Sequence, residues 1–182
     1  MKKSTDLNSI KEVARCLLYT DVHRVENYPF LVKHPFTDSA FTSIAKNPEK
    51  VTENAVINIL ESESDLNRWR EYVAERIDSA ESANEIYCRI TKPYRLTFMK
   101  YAGQYLSEKD FAEMLCSAWI TSENPNSDVN VSQSELLQMF RSADKSLLMT
   151  AEERKRLDEL DNPVTVYRGV TPYNAKSVKA MS

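Results

Sequence analysis

Four helix-start signals in the second half of the chain most constrain its fold. A Ser or Thr followed three residues later by an acidic residue is typical of a helix N-terminus, because the hydroxyl oxygen accepts an otherwise unpaired backbone N–H. The pattern occurs at Ser82/Glu85, Ser107/Asp110, Ser132/Glu135 and Thr150/Glu153. Apolar residues recur at three- and four-residue spacing after each start. The sequence therefore predicts four helices that begin at these residues.

Further helices are predicted on the N-terminal side of these signals. Apolar residues at helical spacing indicate a first helix from Asp6 to Thr20. Asn47-Pro48 has a cap residue before a proline, which predicts a helix from there to about Leu60. A helix that buries Trp69 follows, and another starts at Pro93. Tyr28 to Phe36 holds two prolines and three aromatic residues and is predicted to be extended.

The predicted class is mainly α: a single compact domain of about eight short helices over residues 1–162, with a small C-terminal β element. The turn signal Asp161-Asn162-Pro163 ends the helical pattern. Val164 to Gly169 then alternate at the two-residue period of a strand. Residues 163–182 are therefore predicted to be a C-terminal tail that forms a β-strand.

Composition excludes several classes of protein. The chain has 182 residues and a net charge of −3, which excludes a nucleic-acid binder that relies on bulk positive charge. Its two glycines disfavour a phosphate-cradling loop. No apolar run approaches the roughly 20 residues that span a bilayer, and no apolar stretch follows Lys2-Lys3, so we expect a cytoplasmic protein without membrane contact.

The cysteines and histidines offer no complete catalytic or metal site. Cys16, Cys88 and Cys116 are far apart in the sequence and lie within apolar helical patterns, so we expect buried, reduced thiols. His34 precedes a proline and has no acidic or metal-ligating neighbour, which favours a packed or hydrogen-bonded structural residue. Asn126 to Ser132 superficially matches a calcium loop but lacks its glycine and bidentate glutamate, so we interpret it as a surface turn.

One segment combines basic and aromatic residues. Arg89, Lys92, Arg95 and Lys100 are interleaved with Tyr94, Tyr101 and Tyr105. Such a face can hold a phosphate backbone and stack bases on the tyrosine rings. The same residues would also suit an acidic patch on a partner protein, or form a solvated basic face over an aromatic core.

The sequence also has two acidic clusters: Glu61/Glu63/Asp65 and Glu152/Glu153/Asp158/Glu159/Asp161. Each cluster either mimics the phosphates of a nucleic acid or forms a solvated surface.

The C-terminal segment resembles a known family. Val166-Tyr167-Arg168-Gly169, followed by Ala180-Met181-Ser182, is similar to the opening of the ADP-ribosyltransferase-like proteins of phages and mobile elements. The resemblance implies that Arg168 contacts the NAD phosphates and that Ser182 begins the Ser-X-Thr motif of the nicotinamide pocket. Three upstream stretches are similar to the helical region ahead of that domain: His34-Pro35-Phe36-Thr37, Tyr94-Arg95-Leu96-Thr97-Phe98 and Trp119 to Pro125.

The family's Trp/Thr continuation and catalytic glutamate do not occur in these residues, so we expect no transferase activity and no cofactor. The sequence is interpreted as a non-enzymatic binding protein of phage or mobile-element type. Its most concrete version is an anti-CRISPR-like inhibitor that blocks DNA engagement by an RNA-guided nuclease, with a host protein or protein–nucleic-acid complex as partner. The alternatives are a fragment of an ADP-ribosyltransferase-like toxin that binds NAD through Arg168, and a nucleic-acid-binding module that contacts DNA through Arg89, Lys92, Arg95 and Lys100.

Overall fold

The computed structural model describes residues 4–45, 54–122, 128–160 and 163 of the chain. Within these residues one helix is followed by five short strands and then by seven helices. The elements are α1 (Leu7–Leu18), β1 (His23–Val25), β2 (Tyr28–His34), β3 (Thr37–Ser39), β4 (Phe41–Ala45), β5 (Asn54–Asn58), α2 (Glu63–Asp78), α3 (Ala83–Arg89), α4 (Arg95–Ala102), α5 (Glu108–Thr121), α6 (Gln133–Ser142), α7 (Lys145–Leu148) and α8 (Ala151–Asp158). The predicted mainly α class is confirmed.

The chain divides into two compact units, Met1–Leu148 and Met149–Ser182. The first unit holds α1 to α7 and all five strands. The second contains α8, none of whose residues is buried. The predicted C-terminal β element lies outside the described residues.

The four helix starts read from the sequence are confirmed. The side chains of Ser82, Ser107, Ser132 and Thr150 each accept the backbone N–H of the residue three positions on. At Ser132 and Thr150 the glutamate also accepts the N–H of the cap residue, which completes a reciprocal capping box. The helix expected at Pro93 begins as a 3₁₀ turn, Lys92–Tyr94, and continues as α4.

The first helix follows the predicted stripe. Asp6 caps α1 by accepting the Ser9 N–H, at 3.2 Å. Its buried face consists of Ile10, Ala14, Leu17 and Leu18, which recur three or four residues apart with one adjacent pair. These residues join a core that α2 to α6 complete around Trp69, Phe98 and Leu115.

The segment from Tyr28, expected to be extended, is the central strand of the three-stranded antiparallel sheet β1-β2-β3. A two-residue turn joins β1 to β2, with Val25 opposite Tyr28. Asn27 in this turn has a φ of 64°, a left-handed conformation that asparagine tolerates better than most residues.

The helix predicted from Asn47-Pro48 to about Leu60 is wrong over Asn54–Asn58, which form β5. This strand pairs antiparallel with β4, so that Thr42 lies opposite Ile57 and Ser43 opposite Val56. Val56 is exposed and Ile57 is buried, which is the alternation of a half-buried strand. Two β-branched residues with a partner strand prevail here over a local helix-start signal. The signal itself, at Asn47-Pro48, lies outside the described residues.

Candidate functional site

The first unit contains a groove of about 780 Å³ between α1 and α4. One wall is a face of α1. The other is a face of α4 together with the 3₁₀ turns on either side of it, Lys92–Tyr94 and Gly103–Tyr105. We call it the tyrosine groove, because three tyrosines lie along the second wall. Its main lining residues are Ser9, Glu12, Val13, Cys16 and Thr20 on the first wall and Tyr94, Thr97, Tyr101, Gln104 and Tyr105 on the second.

Backbone hydrogen bonds fix the two walls to their surroundings at both ends. The Asp6 N–H, at the start of α1, donates to the Tyr105 carbonyl at 2.8 Å. The Thr91 N–H, just before the Lys92–Tyr94 turn, donates to the Pro35 carbonyl at 2.8 Å, and the Thr91 hydroxyl donates to the His34 carbonyl at 3.1 Å. These hydrogen bonds tie the second wall to the start of α1 at one end and to the segment after β2 at the other.

The tyrosine rings supply apolar faces with polar tips. Tyr101 is 47% exposed, and Tyr94 and Tyr105 are half-buried. Burial, together with the charge of Asp128, raises the pKa of Tyr94 above its usual value, so its phenol stays protonated. Rings in this setting bind flat or cationic groups by stacking.

The groove carries negative charge. Asp21 is exposed beyond the C-terminal end of α1, and Glu12 lines the α1 wall. Glu12 pairs with Arg15, at 2.5 Å between Oε1 and Nη1, and Arg15 in turn pairs with Asp78. Among the described lining residues there is no lysine or arginine.

A short loop forms one rim of the groove and is tied to α4. The buried Thr97 hydroxyl donates to the Asp128 carboxylate at 3.0 Å and accepts from Asn130 Nδ2 at 3.2 Å. The Asn130 N–H donates to Asp128 Oδ1 at 2.8 Å. The expected turn is present over the described part of this stretch, and its carboxylate is occupied by internal hydrogen bonds. In the described part of the chain no cluster of His, Cys, Asp and Glu is arranged to hold a metal ion.

A second feature is an exposed apolar surface on the strands. We call Tyr28, Phe30, Phe41 and Val56 the β-surface patch; these side chains are between 43% and 69% exposed. The Phe30 and Phe41 rings are 5.8 Å apart between centroids. Val56 lies opposite Ser43, two residues along β4 from Phe41, and therefore on the same face. The patch thus joins side chains from both sheets.

The four basic residues singled out from the sequence have different surroundings. Arg89 and Lys92 are exposed. Arg95 donates to the Ile90 carbonyl at 3.3 Å and to the Thr121 hydroxyl at 2.9 Å, with its guanidinium over the Tyr87 ring. Lys100 pairs with Glu135 at 2.9 Å and donates to the Asn130 carbonyl at 2.7 Å. Arg95 and Lys100 are therefore already paired with other residues of the chain. Arg168 and Ser182 lie outside the described residues.

The expected burial of the cysteines is wrong. Cys16 and Cys88 are exposed, and Cys116 is half-buried with its thiol donating to the Leu148 carbonyl at 3.3 Å. On α3 the core face is formed by Ile86 and Tyr87, which turns Cys88 outward one position later. On α1 the same rotation places Cys16 in the tyrosine groove. The sequence pattern does not distinguish a cysteine that lies beside an apolar stripe from one that belongs to it.

His34 has the structural role expected from the sequence. Its ring is buried, and its centroid lies 5.0 Å from that of Trp69 in an edge-on arrangement. Both ring nitrogens are hydrogen-bonded to the backbone, one to Leu18 and the other to Phe36. No nitrogen is left for a ligand.

The sequence reading missed the groove as a unit. The spacing of Ser9, Glu12, Val13 and Cys16 is that of one helix face, and so is the spacing of Tyr94, Thr97 and Tyr101. The sequence pattern does not show that these two faces pack side by side.

The chain matches no protein-family model, no curated protein and no solved structure. Among the described residues, no helix is both long enough and apolar enough to cross a membrane.

Proposed function

We propose that the protein acts by stoichiometric binding to a partner protein. The observation that carries this proposal is the β-surface patch, in which large apolar side chains from β2, β4 and β5 are exposed together. Single exposed apolar residues are normal on a protein surface, whereas contiguous ones mark interaction sites.

The setting of the patch suits a protein interface. Its side chains stand on hydrogen-bonded antiparallel strands, so their positions are largely fixed before binding. Tyrosine and phenylalanine are enriched at the centres of protein interfaces, where they bury large areas. We expect the patch to contribute the apolar centre of the contact.

In its most concrete version the partner is an RNA-guided nuclease, and the protein is an anti-CRISPR-like inhibitor of phage or mobile-element type. This version rests on the family resemblance of the sequence. Charge supports it: the nucleic-acid channels of such nucleases are basic, and this chain has a net charge of −3. The expected effect is loss of DNA engagement.

The test uses the purified chain and a guide-loaded nuclease from the organism in which the gene occurs. We expect a one-to-one complex in analytical size-exclusion chromatography and a loss of target-DNA binding at equimolar protein. Phe30→Asp places a charge in the patch and should weaken both effects by about tenfold or more. Leu137→Asp, at an exposed position on α6, is the matched control. A mixture that neither co-elutes nor loses DNA binding would refute this version.

The same protein preparation tests the alternatives. A melting temperature that rises with NAD, and no longer does so in Arg168→Ala, would support the transferase fragment. DNA binding that weakens steeply with salt, and disappears when Arg89, Lys92, Arg95 and Lys100 become alanine, would support the nucleic-acid-binding module. In that case Arg89→Ala and Lys92→Ala should have the larger effects, because these two side chains are exposed.

A further inference from the structure

The size of the tyrosine groove does not identify its ligand. About 780 Å³ accommodates a small molecule or several side chains of a peptide. The charge and the aromatic lining are more selective.

The charges of the groove disfavour anions. A phosphate or nucleic-acid backbone placed there would meet the carboxylates of Glu12 and Asp21, with no lysine or arginine among the described lining residues. Arg15 lies beside Glu12 but is already shared between Glu12 and Asp78. Anion binding is strongest at lysine and arginine side chains, which the described lining of the groove lacks.

The same features favour a cation on a long aliphatic stem. A guanidinium or ammonium group is attracted to the face of a tyrosine ring, and its methylene groups pack on apolar surface. The protein already contains such a contact at Tyr101: Lys100 Nζ, which is paired with Glu135, lies 5.7 Å from the centre of this ring. Tyr101 is the most exposed of the three rings.

We propose that the tyrosine groove binds a basic segment of a partner protein, with arginine or lysine stems against Tyr94 and Tyr101 and their charges near Asp21 and Glu12. This inference rests on the proposed function in that the segment belongs to the partner. The β-surface patch then supplies the apolar contact, and the groove binds the positively charged side chains of the partner.

The experiment measures fluorescence polarisation of a labelled peptide of six Arg-Gly repeats with the full chain. A peptide of six Glu-Gly repeats and a labelled oligo-dT of twelve nucleotides are measured alongside. We expect the arginine peptide alone to bind. Tyr101→Ala should weaken its binding by about tenfold, and Asp21→Asn by about two- to fivefold with a smaller salt dependence.

Matched controls separate the groove from the rest of the surface. Tyr19→Ala removes an exposed tyrosine outside the groove, and Asp38→Asn removes an exposed carboxylate outside it. Both should bind the arginine peptide as the unchanged chain does. Because Tyr101 and Asp21 are largely exposed, thermal melts should show that both groove variants remain folded.

The outcomes distinguish this inference from the proposed function. Binding of oligo-dT in place of the arginine peptide, or equal binding by the groove and control variants, overturns the inference. If the nuclease complex forms and Tyr101→Ala with Asp21→Asn leaves its stability unchanged, the groove assignment fails and the proposed function stands. If the arginine peptide binds in the groove and no nuclease complex forms, the nuclease version of the function fails instead.

Discussion

His34 links a single proton to the stability of the first unit. The Phe36 N–H donates to its Nδ1 at 3.1 Å, so Nδ1 carries no proton and Nε2 is the nitrogen that donates to the Leu18 carbonyl, at 3.2 Å. Burial is the main reason that the pKa of His34 falls from 6.5 to about 4. Protonation would introduce a charge into the core and remove the acceptor that Phe36 uses.

The free energy of unfolding should therefore fall as the pH is lowered from about 6.5 to about 4, because the unfolded chain then binds a proton that the folded chain does not. The full pKa difference corresponds to about 3 kcal/mol. His34→Gln should flatten this part of the profile, although it is itself less stable at pH 7 because the Phe36 N–H loses its acceptor.

Urea unfolding at a series of pH values measures this dependence. His23→Gln, at an exposed position, is the control and should change the profile only slightly, because the charge of His23 is the smallest of the causes that shift the pKa of His34. An unchanged profile in His34→Gln would assign the pH dependence to another group.

At the scale of elements, the start of α5 depends on a residue about a hundred positions away. The Ser107 N–H donates to the Thr5 hydroxyl at 2.8 Å, and that hydroxyl donates to the Asp110 carboxylate. In a complete capping box the acidic side chain would accept the Ser107 N–H directly. Here Thr5 stands between them, so α5 is capped partly by the segment that precedes α1.

Thr5→Val should lower the free energy of unfolding by about 1–2 kcal/mol, because the Ser107 N–H and the Asp110 carboxylate each lose a partner. Chemical denaturation measures the change, and Ser4→Ala at the exposed neighbouring position is the control. The losses in Thr5→Val and Asp110→Ala should not add in the double variant, since both remove the same hydrogen bond. Additive losses would show that the two residues act separately.

Local signals decided which elements could be predicted. The caps at Ser82, Ser132 and Thr150 depend on residues three positions apart, so the sequence displays them directly. Strand β5 depends on β4 as its partner, and this pairing overrode the helix predicted across it. The tyrosine groove depends on contact between α1 and α4, which are more than seventy residues apart in the chain. The sequence patterns indicate the face of each helix but not that the two faces lie against each other.

At the scale of the molecule, the first unit contains the described core. The buried cluster runs from Ile10 to Ala143, and Leu148 is the last residue packed against it. Helix α8, in the second unit, buries no residue. The described residues of α8 therefore add nothing to the core of the first unit.

A chain that ends at Leu148 should fold cooperatively by itself. We expect its melting temperature, followed by circular dichroism, to lie within about 4 °C of that of the full chain, because a change of about 1 kcal/mol produces a shift of this size. The full chain serves as the control under the same conditions. A truncated chain without a cooperative transition would show that Met149–Ser182 is needed for the fold of the first unit.

The β-surface patch also bears on the concentration at which the protein can be made. Phe30, Phe41 and Val56 meet water for as long as no partner covers them. Two copies of the chain carry the same apolar face, so we expect self-association to compete with the proposed partner binding and to grow with concentration. If the protein acts by binding a partner, as proposed, synthesis beyond the supply of that partner would add little active protein.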